Sequence, residues 1–144
     1  MKKITKLCCT LLILACMITC MPSTSHAKVS NPFASQTQER PLMSNGARKG
    51  TYLRILTSEL ACTDASLKQL YKYYISNKSK FSYVVIDFSI GTGLICNKKN
   101  KTFVYGNIKM NTKTNGFKIT KKKGTIKIKG KSVIRKTGNR LLDK

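Results

Sequence analysis

Acids and histidine are nearly missing from this chain. Its 144 residues hold one His, no Trp, and 5 Asp and Glu against 28 Lys and Arg. The one histidine, His26, falls in an N-terminal segment that reads as removed on export, which would take away the usual general acid and base of neutral-pH catalysis. The acids Glu39, Glu59, Asp64, Asp87 and Asp143 are scattered, with no spaced pair for glycoside hydrolysis or for holding a hard cation. Ser, Thr and Cys are present without an identifiable partner base. Gly91-Thr92-Gly93 lacks the following helix and Lys-Ser/Thr of a phosphate loop and reads as a turn. No cofactor is implied. Asp87, inside an apolar run, is the one acid placed to be perturbed, and it reads as a hydrogen-bonded or edge residue. A small secreted nuclease or hydrolase relying on Lys, Arg and Tyr stays compatible with these absences and forms the enzymatic alternative.

Long apolar runs are also lacking. Residues 7–18 form a short apolar stretch behind Lys2, Lys3 and Lys6, too short to span a bilayer comfortably. Ser25-His26-Ala27 follows with small residues at the −3 and −1 positions of a signal-peptidase site. Residues 1–27 therefore read as a signal peptide, bacterial in character, and the expected location is secreted, periplasmic or cell envelope. Ile13-Leu14-Ala15-Cys16 loosely resembles a lipobox, and lipidation at Cys16 would tether the chain to a membrane instead.

Cleavage after Ala27 would reduce six cysteines to Cys62 and Cys96. Two cysteines in an oxidising compartment predict one disulfide, closing a loop of about 35 residues and contributing roughly 3–4 kcal/mol in the chain-entropy model. Two buried free thiols are the alternative. Two Cys without His are too few soft ligands for a metal site.

What is abundant is positive charge. Residues 28–144 carry 25 Lys and Arg against the 5 acids, a net charge of about +20. Charge of that size repels itself and costs compact-state stability, so a polyanionic partner is expected. An AT-rich genome would favour Lys, Asn and Ile, but it leaves the shortage of Glu unexplained. Residues 28–97 hold 9 basic and 4 acidic residues, whereas residues 98–144 hold 16 basic residues and only Asp143. The excess is C-terminal. Lys outnumbers Arg 20 to 5 over residues 28–144. Lysine is a mobile point charge and arginine a planar fork, so this balance favours diffuse, salt-sensitive attraction over base-specific reading.

Residues 28–50 are polar, with Pro32, Pro41, Asn45-Gly46 and Lys49-Gly50, and read as a flexible basic arm. A single α+β domain is expected over residues 51–144: one amphipathic helix packed on an antiparallel meander of five to seven strands. Residues 51–56 form a candidate first strand. Leu67, Leu70, Tyr71 and Tyr74 keep the i, i+3, i+4, i+7 spacing of a buried stripe over Asp64–Ser76, with Thr63 or Asp64 capping the first turn. Tyr73 is expected to face solvent. From Phe81 the period becomes two, and Tyr83 to Ile90 reads as a central strand buried on both faces. Residues 94–96 and 102–105 follow. Asn115-Gly116 signals a type I′ hairpin between residues 107–113 and 117–122. Gly124 and Gly130 read as turns around residues 125–129 and before Ser132–Lys136.

Alternation in this meander would set Lys118, Lys122, Lys127 and Lys129 opposite Phe117, Ile119, Ile126 and Ile128, with Arg135 nearby. Residues on one face repeat about every 6–7 Å along a strand and about 4.8 Å between strands, which would make a lysine grid. The expected function is non-catalytic binding of an anionic polymer or surface through Lys118, Lys122, Lys127, Lys129 and Arg135. Envelope polymers, anionic lipid headgroups and extracellular nucleic acid are the candidates. Lysines that merely discourage edge-to-edge pairing are the structural alternative. A third class is a component of an envelope complex or an inhibitor of an acidic partner protein.

Overall fold

The computed structural model describes residues 27–144. The signal peptide and the Cys16 lipidation site therefore lie outside the described residues, apart from Ala27. Seven strands form one sheet in chain order: β1 (Thr37–Ser44), β2 (Ala47–Leu56), β3 (Tyr83–Asp87), β4 (Thr92–Asn97), β5 (Thr102–Asn111), β6 (Gly116–Lys129) and β7 (Ser132–Lys136). One helix, α1 (Asp64–Ser76), lies between β2 and β3. The class is α+β, and five of the six neighbouring pairs are antiparallel. The exception is β2–β3, which is parallel. Its cause is the helix itself: the chain leaves β2, runs back through α1 and re-enters the sheet in the direction it left. A parallel pair needs such a crossover.

Residues 28–50 depart most from expectation. They are not a free arm. Phe33 is buried in the main core, β1 covers Thr37–Ser44, and β2 begins at Ala47. Asn45 and Gly46 have φ of 50° and 77° and join Ser44 to Ala47 in a two-residue hairpin. That backbone geometry matches the right-handed twist of the flanking strands, which is why Asn-Gly marks it. The polar composition of β1 follows from its place at the sheet edge, where Pro41 is also tolerated.

α1 covers one face of the sheet. Thr63 caps it by accepting from the Ser66 N–H at 3.2 Å. Its Leu67, Leu70 and Tyr74 are buried against Leu53, Ile55, Val84, Ile86, Leu94, Cys96, Phe103, Ile126 and Ile128. Tyr73 is half-buried rather than solvent-facing, its ring 6.5 Å from that of Phe81. Full burial of one such apolar side chain is worth about 1.5–3 kcal/mol, so this stripe holds the layers together. Leu142 from the C-terminal turn is also fully buried there.

A second, smaller core lies on the opposite face. Tyr52, Val85 and Ile108 form it with Leu42, Tyr83, Ile95, Phe117 and Ile119. The end of the β5–β6 hairpin folds over this face. Met43 N–H donates to Thr114 O at 2.8 Å, Tyr52 Oη to Asn115 O at 2.6 Å, and Phe117 N–H to Tyr83 Oη at 2.9 Å. Asn115 has φ of 54°, but the turn is a four-residue loop closed by the Asn111–Gly116 pair, not a two-residue type I′ hairpin.

The hairpin can fold over because its strands bend. The β5–β6 register shifts twice, leaving Thr120 and Lys123 without a partner in β5. Each extra residue is a bulge that kinks the strand and increases its twist. Gly106 and Gly124 sit at the bend. A Cβ on Gly106 would lie 2.2 Å from Lys121 O, and one on Gly124 would lie 2.1 Å from Lys136 O. Gly124 is thus a close approach inside a continuous β6, not a turn.

Candidate anion-binding face

The two bulges decide where the lysines point. Directly paired residues share a face, and every extra residue reverses the alternation. Phe103 pairs with Ile126 and Tyr105 with Gly124, all on the α1-covered face. Thr102 pairs with Lys127, Val104 with Thr125 and Gly106 with Lys122, so these project from the face opposite α1. Lys129 follows Lys127 by two residues and joins them. Between the bulges, Asn107 pairs with Lys121 on the other side; beyond the second bulge, Lys109 pairs with Lys118 on that same side, while Ile108 and Ile119 enter the small core.

The expected grid is therefore corrected in two ways. Lys122, Lys127 and Lys129 share a face, but Lys118 does not, and Phe117 and Ile119 belong to a different core from Ile126 and Ile128. Arg135 is the second correction. Within β7, Val133 and Arg135 point to the α1 side, whereas Ser132, Ile134 and Lys136 pair with Lys129, Lys127 and Thr125 on the opposite face. The Arg135 side chain is only 8% exposed. Its Nη2 lies 2.7 Å from Asp64 Oδ1 and 2.8 Å from Cys62 O, and its Nη1 donates to Leu142 O. It ties β7 to the start of α1 and to the C-terminal turn, on the side of the sheet away from the lysine face.

Two shallow hollows mark the lysine face. One, of about 470 Å³, is lined by Lys101, Lys122, Lys127 and Lys129 with Thr102, Val104 and Thr125. The other, of about 220 Å³, is lined by Lys127, Lys129 and Lys136 with Thr125 and Ile134. No acid lines either hollow. Four of the five acids are engaged elsewhere. Asp87 is buried and pairs with Arg54 at 2.7 Å, and Glu39 pairs with Lys80 at 2.7 Å. Asp64 holds Arg135. Asp143 accepts from Thr137 Oγ1 at 2.7 Å and from the Gly138 N–H at 2.8 Å. Burial pushes its carboxyl upward, but these bonds and the Arg135 charge outweigh that and hold it below the usual range.

Lys101 and Lys136 join the face without any signal in the alternation. Lys101 sits in the β4–β5 turn, where alternation says nothing. Lys136 follows Ile134 by two residues, but Val133 and Ile134 are both apolar, and composition alone cannot say which of them faces the core.

Cys62 and Cys96 are not joined. Both stand as buried free thiols in the main core, where a disulfide is expected from the sequence. Each finds a carbonyl in its own segment: Cys62 Sγ is 3.8 Å from Ser58 O and Cys96 Sγ 3.6 Å from Asn97 O. Burial pushes both thiols up to about 12.

Among the described residues, no group of three or more His, Cys, Asp and Glu side chains could hold a metal ion, and no helix is long and apolar enough to cross a membrane. No family model, curated protein or solved structure matches this chain.

Proposed function

We propose that the protein is an exported, non-catalytic binder of anionic polymers, and that it holds them on the β5–β7 face through Lys101, Lys122, Lys127, Lys129 and Lys136. The observation that carries this reading is the segregation of charge. Three of the five acids pair with Arg54, Lys80 and Arg135, Asp143 caps the C-terminal turn, and the lysine face has none. Its lysines are exposed and spaced by sheet geometry, so an extended chain of phosphates or sulfates can meet several at once. The hollows are shallow, and no acid or histidine stands beside their lysines and threonines, which favours retention of a polymer over its turnover.

Titration with a short duplex DNA and with polyphosphate across a salt series tests this. Neutralising Lys122, Lys127, Lys129 and Lys136 to Gln is expected to flatten the plot of log K against log salt for duplex DNA by about 3–4 units, close to 0.9 for each phosphate that is no longer neutralised. A charge-matched control neutralises Lys109, Lys113, Lys118 and Lys121, of which Lys109, Lys118 and Lys121 lie on the other side of the sheet. Equal reductions in the two variants would show that net charge alone is responsible and would remove the face from the account.

A further inference from the structure

A separate groove runs between α1 and the β6–β7 hairpin. Its volume is about 490 Å³, and Lys68, Tyr71, Lys72, Ile75, Lys101, Ile128, Gly130 and Lys131 line it. That volume is within the roughly 300–1,000 Å³ of small-molecule sites. Helical spacing builds one wall: Lys68 and Lys72 are one turn apart, and so are Tyr71 and Ile75, which gives a cationic stripe beside an apolar one. Ile128 continues the apolar floor from β6, and Lys131 brings a further charge from the hairpin turn. Lys68 Nζ donates to Lys131 O across the groove. Gly130, at φ of 55° with open space where a Cβ would be, keeps the hairpin side of the groove unobstructed.

We propose that this groove binds a single-chain anionic lipid, with the alkyl chain over Tyr71, Ile75 and Ile128 and the headgroup among Lys68, Lys72 and Lys131. Charge complementarity selects this occupant. The groove has a rim of lysines and no acid. A neutral apolar ligand would cover those ammonium groups without pairing them, which costs free energy. A polyanion would leave the apolar floor unused. An amphiphile satisfies both. The site is distinct from the polymer face, which lies on the opposite side of the sheet and touches the groove only near Lys101 and the end of β6.

Calorimetry on the purified protein with three compounds tests the proposal: dodecyl phosphate below its micelle concentration, dodecyl maltoside with the same chain and a neutral head, and inorganic phosphate as the head alone. The expected result is one saturable site for dodecyl phosphate, at least tenfold tighter than either comparator. Lys72→Glu changes an exposed position on α1 and should weaken dodecyl phosphate binding at least tenfold with an unchanged melting curve. Ile75→Asn should weaken it similarly through the floor. Lys127→Gln with Lys129→Gln should leave it unchanged while weakening duplex DNA, which separates this site from the polymer face. Equal binding of dodecyl phosphate and dodecyl maltoside, indifference to Lys72→Glu, or no saturable binding would overturn the proposal.

Discussion

Replacing Arg135 with Gln separates the two roles that an arginine in a basic strand can have. If it belongs to an anion site, its removal costs binding. The structure gives it three intramolecular acceptors instead: the Asp64 carboxylate, Cys62 O and Leu142 O. The Asp64 pair is half-exposed on the acid's side, at 49%, so solvent screening limits it to about 0.2–1 kcal/mol. The two carbonyls are deprived of a charged donor, and such bonds are worth about 1.5–3 kcal/mol each. Water and the glutamine amide recover part of this. The net destabilisation should be about 3 kcal/mol, or a melting temperature lower by about 10 °C for a domain of this size. Urea unfolding with an unchanged m-value is the assay, with duplex DNA titration of the folded variant beside it. Arg135→Lys should fall between, because an ammonium keeps the charge but cannot reach three acceptors in a fixed plane. A stability change under about 0.5 kcal/mol, together with a drop in DNA affinity like that of Lys127→Gln, would refute the structural role and return Arg135 to the proposed anion site.

The two thiols make a linked pair of predictions. Labelling of the unfolded, unreduced protein should find both Cys62 and Cys96, and labelling of the native protein should find neither; a result of none in the unfolded protein would establish the disulfide instead. Because burial raises both thiols from 9.0 to about 12, the stability they contribute is complete below pH 9 and is lost as the pH rises from about 9 towards 12. Each should subtract about 1.4 kcal/mol per pH unit in that window, and flat stability through about pH 11 would contradict the burial. Gly106→Ala should lower stability by about 1–3 kcal/mol, since its Cβ would meet the Lys121 carbonyl oxygen at 2.2 Å, and a neutral effect in thermal unfolding would argue against the bend.

The helix is legible in the sequence because its signals agree: a cap at Thr63, a stripe at Leu67, Leu70 and Tyr74, and polar residues between. The strands of the central sheet are legible for the same reason. The direction of β2 against β3 follows from placing that helix between them, a topological step that element-by-element reading leaves out. β1 escapes a reading by apolar period, although Asn45-Gly46 carries the same hairpin signal as Asn115-Gly116. An edge strand with one exposed face needs few apolar residues, and here Leu42 is the main one inside. Absence of an apolar period therefore distinguishes a loop from a core strand, but not from an edge strand.

The site is harder to read because a charged residue's address depends on bulges. Lys121, Lys122 and Lys123 are consecutive, yet they go to three places. Lys121 pairs with Asn107 on one side, Lys122 with Gly106 on the other, and the bulged Lys123 places its ammonium 5.9 Å from the centre of the Tyr105 ring. An uninterrupted alternation from Lys118 to Lys122 would keep both on one face. The bulge at Thr120 moves Lys122 to the other side, and the bulge at Lys123 reverses the alternation again, so that Lys127 and Lys129 share the side of Lys122. The same two bulges bend the hairpin over the small core. Folding the apolar half of β6 inward and gathering the lysines of its other half outward are thus one structural event. A deletion that removed Thr120 would straighten the strand at that bulge and leave Lys122 on its side of the sheet, because Ile119 and Lys121 would then alternate directly.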